Sequence, residues 1–218
     1  WGIRRLNIMK ISYAITVCNE FVEIQKLLTF LIENKRQEDE IVVVWDSKNG
    51  DKDIETYLRK MNVEKTYFNW FPYEFDGHFA NLKNYLTELC TGDYIYQIDA
   101  DEMISEYVMK LLPQLLEHNE VDVIRVPRIN TVDGLTPEHI QKWRWVVDEK
   151  GWVNFPDYQW RIYRNIPEIQ WKNAVHEIID GYKTMSHLPT DEEWCLYHHK
   201  TIERQEKQNE LYDKISHI

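Results

Sequence analysis

Through the first half of the chain, short apolar runs alternate with stretches in which apolar positions recur every three to four residues. Residues 11–17 (ISYAITV) are rich in β-branched and aromatic side chains and predict a buried strand that ends at Cys18-Asn19-Glu20. Over residues 20–34, Phe21, Ile24, Leu27, Leu28 and Leu31 share one helical face. Residues 41–45 (IVVVW) predict a second buried strand, closed by a polar turn from Asp46 to Asp51. A short helix over 53–61 and a third strand over 63–68 follow, then a helix over 78–90 with Phe79, Leu82, Leu86 and Leu89 on one side. A fourth strand over 94–98 (YIYQI) delivers Asp99-Ala100-Asp101-Glu102 at its end. This alternation predicts an α/β fold with a mainly parallel central sheet flanked by helices. In such sheets ligands bind outside the carboxyl ends of the strands. Three polar clusters fall at those ends: Asn19-Glu20, Asp46 to Asp51, and Asp99 to Glu102.

After residues 121–126 (VDVIRV) the periodicity weakens. Residues 127–171 hold Trp143, Trp145, Trp152, Trp160 and Trp171 among tyrosines and prolines, and residues 201–218 predict a polar helix whose few apolar positions could pack on the sheet. At 218 residues and 43% hydrophobic content, the chain suits one domain with one core, 1–218. Its formal charge of −11 argues against polymeric nucleic acid or an anionic membrane held by overall charge. Cys18, Cys90 and Cys195 are odd in number and include no CxxC pair, so buried thiols in a reducing compartment are expected. The chain shows neither a signal-peptide pattern nor an apolar run of bilayer length, so no transmembrane segment and a cytoplasmic location are expected. Met9 is the expected native start.

Asp99 and Asp101 are one residue apart after a hydrophobic strand. Side chains at that spacing point the same way, so two hard oxygen ligands can reach one Mg²⁺ or Mn²⁺. A cation held by few carboxylates keeps positions open for diphosphate oxygens and can neutralise charge on a departing phosphate. The alternative is a pair of solvated acids at the start of the next helix, with Glu102 and Ser105 suited to a cap.

At these residues the chain resembles the family 2 glycosyltransferases over most of its length. ISYAITVCNE is similar to that family's first strand and Asn-Glu turn, and IVVVWDSKNGD to its second strand and Asp-Ser loop. FANLKNYLTELCTGDYIYQIDADE resembles the helix, Gly-Asp turn and DxD strand, and DYQWRIYRN, WKNAVHE and LYHHK resemble downstream blocks of small bacterial and phage members. The resemblance implies a Rossmann-like GT-A domain, with a nucleotide-sugar half over 9–105 and an acceptor half over 106–218. It implies a metal-dependent transferase that moves a sugar from a nucleotide diphosphate, UDP first among the carriers, to an acceptor hydroxyl with inversion. Thr16, Asn19, Glu20, Asp46, Lys83 and Asp99 are the implied nucleotide-binding residues. Asp99 and Asp101 are the implied metal ligands, with His198 as a further one for Mn²⁺ or Mg²⁺. Lys83-Asn84 departs from the Arg-Asn usual in relatives, so the bidentate fork of arginine is lost there. Glu177 and Asp157 are the two candidates for the catalytic base, Glu177 the favoured one. Trp152, Trp160 and Trp171 either stack on sugar faces or fill the core. The acceptor, whether glycan, lipid-linked or protein, is not specified. Two other readings are a non-catalytic nucleotide- or glycan-binding module and a sugar-nucleotide pyrophosphorylase; the latter should open with a glycine-rich phosphate loop, and ISYAITVCNE has no glycine.

Overall fold

Strand β1 (Ile11–Val17) is buried on both faces, which is why its sequence reads as a continuous apolar run. Its odd positions, Ile11, Tyr13, Ile15 and Val17, pack under Ile24, Leu27, Leu28 and Leu31 of helix α1 (Phe21–Asn34), while Ala14 faces the opposite layer with Ala80, Leu82 and Leu86. The computed structural model describes residues 8–64 and 67–216. Residues before the expected start at Met9 fall almost wholly outside that range.

Beyond α1 come β2 (Glu40–Asp46), α2 (Lys52–Glu64), β3 (Asn69–Tyr73), α3 (Phe79–Leu89) and β4 (Tyr94–Asp99), then β5 (Glu102–Met103) and α4 (Glu106–His118). The second half contains β6 (Val123–Asp133), α5 (Pro137–Trp143), β7 (Val153–Arg164), β8 (Gln170–Lys172), β9 (Ile178–Asp180), β10 (Met185–His187), β11 (Leu196–Thr201) and α6 (Ile202–Ser216). The main sheet runs β3-β2-β1-β4-β7-β6-β11-β5, with β10 also on β6, while β8 and β9 form a separate ribbon. β1 to β4 pair in parallel, and β7 enters antiparallel between β4 and β6. The α/β class and the mainly parallel sheet are as the sequence predicts.

Two boundaries differ. The helix expected over 53–61 continues to Glu64, and the third strand is Asn69–Tyr73 rather than 63–68, a range that includes two residues outside the description. Val63 and Phe68 suggested the strand, yet the observed β3 is an edge strand with mixed burial and Pro72 within it, so its own pattern is weak. Ser105 caps α4 by accepting the Val108 N–H at 3.1 Å, as the capping reading allowed. The three cysteines are free, with Cys90 and Cys195 buried and Cys18 partly so. Burial, with Asp46 beside it, pushes the Cys18 thiol up to about 12. Among the described residues no helix is long and apolar enough to cross a membrane.

Candidate active site

Strand register brings the polar residues together. Thr16 of β1 lies beside Asp99 of β4, Arg128 of β6 beside Asp157 of β7, and His198 of β11 beside both Asn130 of β6 and Glu102 of β5. All sit at one end of the sheet centre, where β4, β7, β6 and β11 are neighbours.

The organising side chain is Arg161, 3% exposed. Its Nε and Nη2 donate to the two oxygens of Glu102 at 2.9 and 2.6 Å, and Nη2 also donates to Asp99 Oδ2 at 2.8 Å. Nη1 donates to Gln97 Oε1 at 3.1 Å. Arg128 extends the chain of charges, donating from Nη1 to Glu102 Oε1 at 2.9 Å and from Nη2 to Asp157 Oδ2 at 2.8 Å. Burial alone would lift Asp99, but Arg161 and then Lys83 outweigh it and hold the carboxyl far below the usual range. Burial likewise opposes charge on Arg161, and the facing Glu102 and Asp99 carboxylates hold the guanidinium above its ordinary value; Glu177 adds to that field.

Asp99 Oδ1 accepts Thr16 Oγ1 at 3.1 Å and Gln97 Nε2 at 2.9 Å, so both of its oxygens are engaged by protein donors. Glu20 accepts the backbone N–H groups of Cys18 and Asn19 at 2.8 and 3.0 Å through one oxygen, and Arg204 Nη2 at 3.0 Å through the other. Asn19 itself is exposed. Asp46 is buried and turned onto its own loop, accepting the Lys48 and Asn49 N–H groups at 2.9 and 3.1 Å and Asn49 Nδ2 at 2.9 Å. Lys83 lies 3.1 Å from Glu177 Oε1 and 4.5 Å above the Trp171 ring. Asp157 accepts from Arg128, Asn130 and Gln159; burial favours its neutral form, but these donors win and keep the carboxyl below its ordinary value. Glu177 follows His176, whose φ of 53° places it in the left-handed region, rare for a residue with a Cβ. Of the tryptophans, Trp171 is a core residue at 2% exposed, Trp160 is half-buried beside Arg125, and Trp152 is half-buried against Phe155.

Asp101 and His198 converge. Asn130 Nδ2 donates to Asp157 Oδ2 at 2.8 Å, so Asn130 Oδ1 faces His198 Nδ1, also at 2.8 Å. That nitrogen therefore carries a proton, and in the neutral ring the Nε2 lone pair faces Asp101 Oδ2 across 3.2 Å. Burial holds the His198 ring below the ordinary histidine value, against the pull of Asp101. Two acceptors at that distance suit a divalent cation, because neighbouring ligands of an octahedral ion with bonds of ~2.1 Å stand about 3.0 Å apart. The orienting contact of Asn130 is of the kind metal-bound histidines have. The set is an open one: among the described residues, no group of three or more His, Cys, Asp or Glu side chains is placed to hold a metal. Asp99, the other implied ligand, has its Oδ2 engaged by Arg161 at 2.8 Å.

Several site residues were not singled out from the sequence as functional. Arg128 and Asn130 interrupt an apolar strand, Glu102 reads as part of a helix start, and Arg161 falls in the stretch where the periodicity weakens. Lys200 and Arg204 come from β11 and α6: Arg204 reaches Glu23 at 2.8 Å and Asp101 at 3.5 Å, and Lys200 hydrogen-bonds Gln208. The signal for Lys200 was available, since residues two apart on a strand share a face and His198 was already a candidate.

Comparison with known proteins agrees with this architecture. A family model for glycosyl transferase family 2 matches residues 12–193. An uncharacterized glycosyltransferase of Mycoplasma pneumoniae is 29% identical over 122 residues, which is 53% of this chain and 40% of that protein. The chain thus spans about two fifths of the curated relative it matches. Residues 1–349 of TarS from S. aureus superpose with a TM-score of 0.60 at 16% identity, over 95% of this chain and 64% of that one. The same segment in complex with UDP gives a TM-score of 0.61 at 18% identity, over 88% of this chain and 60% of that one. At these identities the likeness establishes a shared fold, the GT-A architecture the sequence resemblance implies.

Proposed function

Because the chain belongs to glycosyl transferase family 2, we propose that it moves a sugar from a nucleotide diphosphate donor to an acceptor hydroxyl, by direct displacement with inversion. The donor half is residues 9–105 and the acceptor half residues 106–218, with the cation ligands Asp101 and His198 contributed one from each. The observation that carries the reading is the convergence of Asp101 Oδ2 and His198 Nε2 at 3.2 Å with the histidine tautomer set by Asn130. Mn²⁺ or Mg²⁺ bound there would neutralise charge on the departing diphosphate. UDP is proposed as the carrier, supported by the fold neighbour TarS, whose segment 1–349 is known in complex with UDP and with UDP-GlcNAc.

Asp99, Thr16 and Gln97 form the rigid floor of the nucleotide site, and Glu20 and Asp46 fix the two loops beside it. Glu177 is the proposed base. As the acceptor oxygen bonds to the anomeric carbon, its proton passes to the Glu177 carboxylate and the bond from that carbon to the phosphate oxygen breaks. Lys83, 3.1 Å away, pairs with Glu177 and fixes the position of its carboxylate. Asp157 is the weaker candidate, because Arg128, Asn130 and Gln159 already occupy its lone pairs.

Calorimetric titration of UDP, GDP and dTDP, each with Mn²⁺ and with chelator, tests the reading. One nucleotide should bind wild type only with metal, and Asp101→Ala should abolish that binding. If none binds under any condition, the transferase assignment for this chain is overturned. Glu177→Gln should leave nucleotide affinity intact while lowering turnover by roughly 10²–10⁴-fold, the usual effect of losing a general base.

A further inference from the structure

The basic side chains around the site differ in one respect. Arg161 is tied to Asp99 and Glu102, Arg128 to Glu102 and Asp157, Lys83 to Glu177, and Arg204 to Glu20 and Glu23. Lys200 is not. It is 7% exposed, its ammonium meets the neutral side-chain oxygen of Gln208, and it forms no ion pair with a carboxylate among the described residues. The carboxylate whose field it feels most is Asp101, and Asp101 Oδ2 already faces His198 Nε2 at 3.2 Å and Arg204 at 3.5 Å. A buried ammonium without a counterion is costly, and it persists where a ligand brings the anion.

Position identifies that anion. β11 alternates, so Leu196, His198 and Lys200 point inward while Tyr197, His199 and Thr201 point out. Lys200 is thus the next inward residue beyond His198, roughly 6.6 Å along the strand at the usual rise per residue. A diphosphate covers that span, with one phosphate at the Asp101–His198 cation position and the other within reach of a flexible four-carbon stem. Resting on the donor reading above, we infer that Lys200 is the diphosphate-binding cation of this chain, meeting the charge that builds on the leaving nucleoside diphosphate. Gln208, on α6, holds the ammonium in place until the phosphate arrives.

The test is calorimetric titration of UDP and UMP with Mn²⁺ on wild type, Lys200→Met, Lys200→Gln and Lys200→Arg, with a thermal melt of each. The Met and Gln variants should bind UDP roughly tenfold or more weakly, as loss of a charge-assisted hydrogen bond implies. UMP affinity should stay within about threefold of wild type, since the lost contact is to the second phosphate. Lys200→Arg, which keeps the charge, should recover most of the UDP affinity. Neither neutral variant should melt below wild type, because each removes a buried charge that lacks a counterion. Having two neutral variants keeps the result from hanging on one of them folding. UDP affinity unchanged in both, or equal losses for UDP and UMP, would overturn the assignment while the donor reading stands. If wild type binds UDP, GDP and dTDP not at all, the donor reading falls and the assignment falls with it.

Discussion

Replacing Arg161 with methionine removes the guanidinium at the centre of the ion network and leaves a side chain of comparable length in its place. Glu102, with no exposed side-chain surface, loses both bonds from Arg161 and keeps Arg128 and the Asp99 backbone N–H; Asp99 keeps Thr16 and Gln97 but loses its closest cation. Removing one partner of a buried ion pair costs about 3–5 kcal/mol, and the surviving Arg128 contact places this case near ~3. For a domain of this size that corresponds to a drop in melting temperature of roughly 6–12 °C. The assay is urea unfolding at pH 7, followed by far-ultraviolet circular dichroism and tryptophan emission to check that the two transitions coincide. Lys in place of Arg should lose somewhat less than Met, since it retains the charge but not the two-pronged grip on Glu102. The decisive comparison is Arg161→Met combined with Glu102→Gln. If the loss arises from stranded charge, the double variant should be at least ~1 kcal/mol more stable than the sum of the single losses predicts. A single-variant loss below ~1 kcal/mol, or strict additivity, would refute the claim that these groups act as one buried network.

The other predictions concern separate parts of the molecule. Gly50 closes the loop after β2, where an added Cβ would collide with the Asp46 carbonyl and the Trp45 indole nitrogen, so Gly50→Ala should cost about 1–3 kcal/mol in urea unfolding and weaken nucleotide binding through Asp46. Arg204 ties α6 to Glu20 and Glu23 at 3.0 and 2.8 Å, and Arg204→Ala should expose that helix to limited proteolysis before any other helix. Asp122 accepts the backbone N–H groups of Lys183 and Thr184 at 2.8 and 3.1 Å, and the first of these, with the second and Arg164, holds its carboxyl below the ordinary value. A depressed folded-state value adds stability that is complete above the unfolded aspartate value of about 3.9 and is lost as pH falls through the folded one. Asp122→Asn should therefore be less stable than wild type at pH 7, with the gap closing below about pH 3.9; a gap that stays constant down to pH 2 would count against it.

Most of the first half was legible because its strands are buried on both faces and its helices on one, so β1, α1, β2, α3 and β4 lie within a residue or two of where apolar spacing puts them. The exception at β3 follows from its place at the sheet edge, where mixed burial leaves little pattern to read. In the second half the reason is different and bears on function. β6 and β7 are the longest strands among the described residues, yet they were not legible as strands beyond their first or last few positions. The positions that would complete the alternation are filled by Arg128 and Asn130 on one and Asp157, Gln159 and Arg161 on the other, each half-buried or buried; Gln159 donates to Asp157 on its own strand, and the others bond across the pair or to β4 and β5. Strand prediction treats inward polar residues as breaks, because an unpaired one would be too costly to bury. Here each has a partner, supplied for all but Gln159 by a strand distant in sequence. The hydrophobic pattern therefore fails over the stretch where the sheet interior becomes the site floor, and a run that alternates correctly but with charge in place of carbon is itself a sign of a site. The same holds at β11, where the inward positions read Leu196, His198, Lys200. An apolar residue at the second and third would have made the strand easier to find, and would have left Asp101 without the imidazole that faces it.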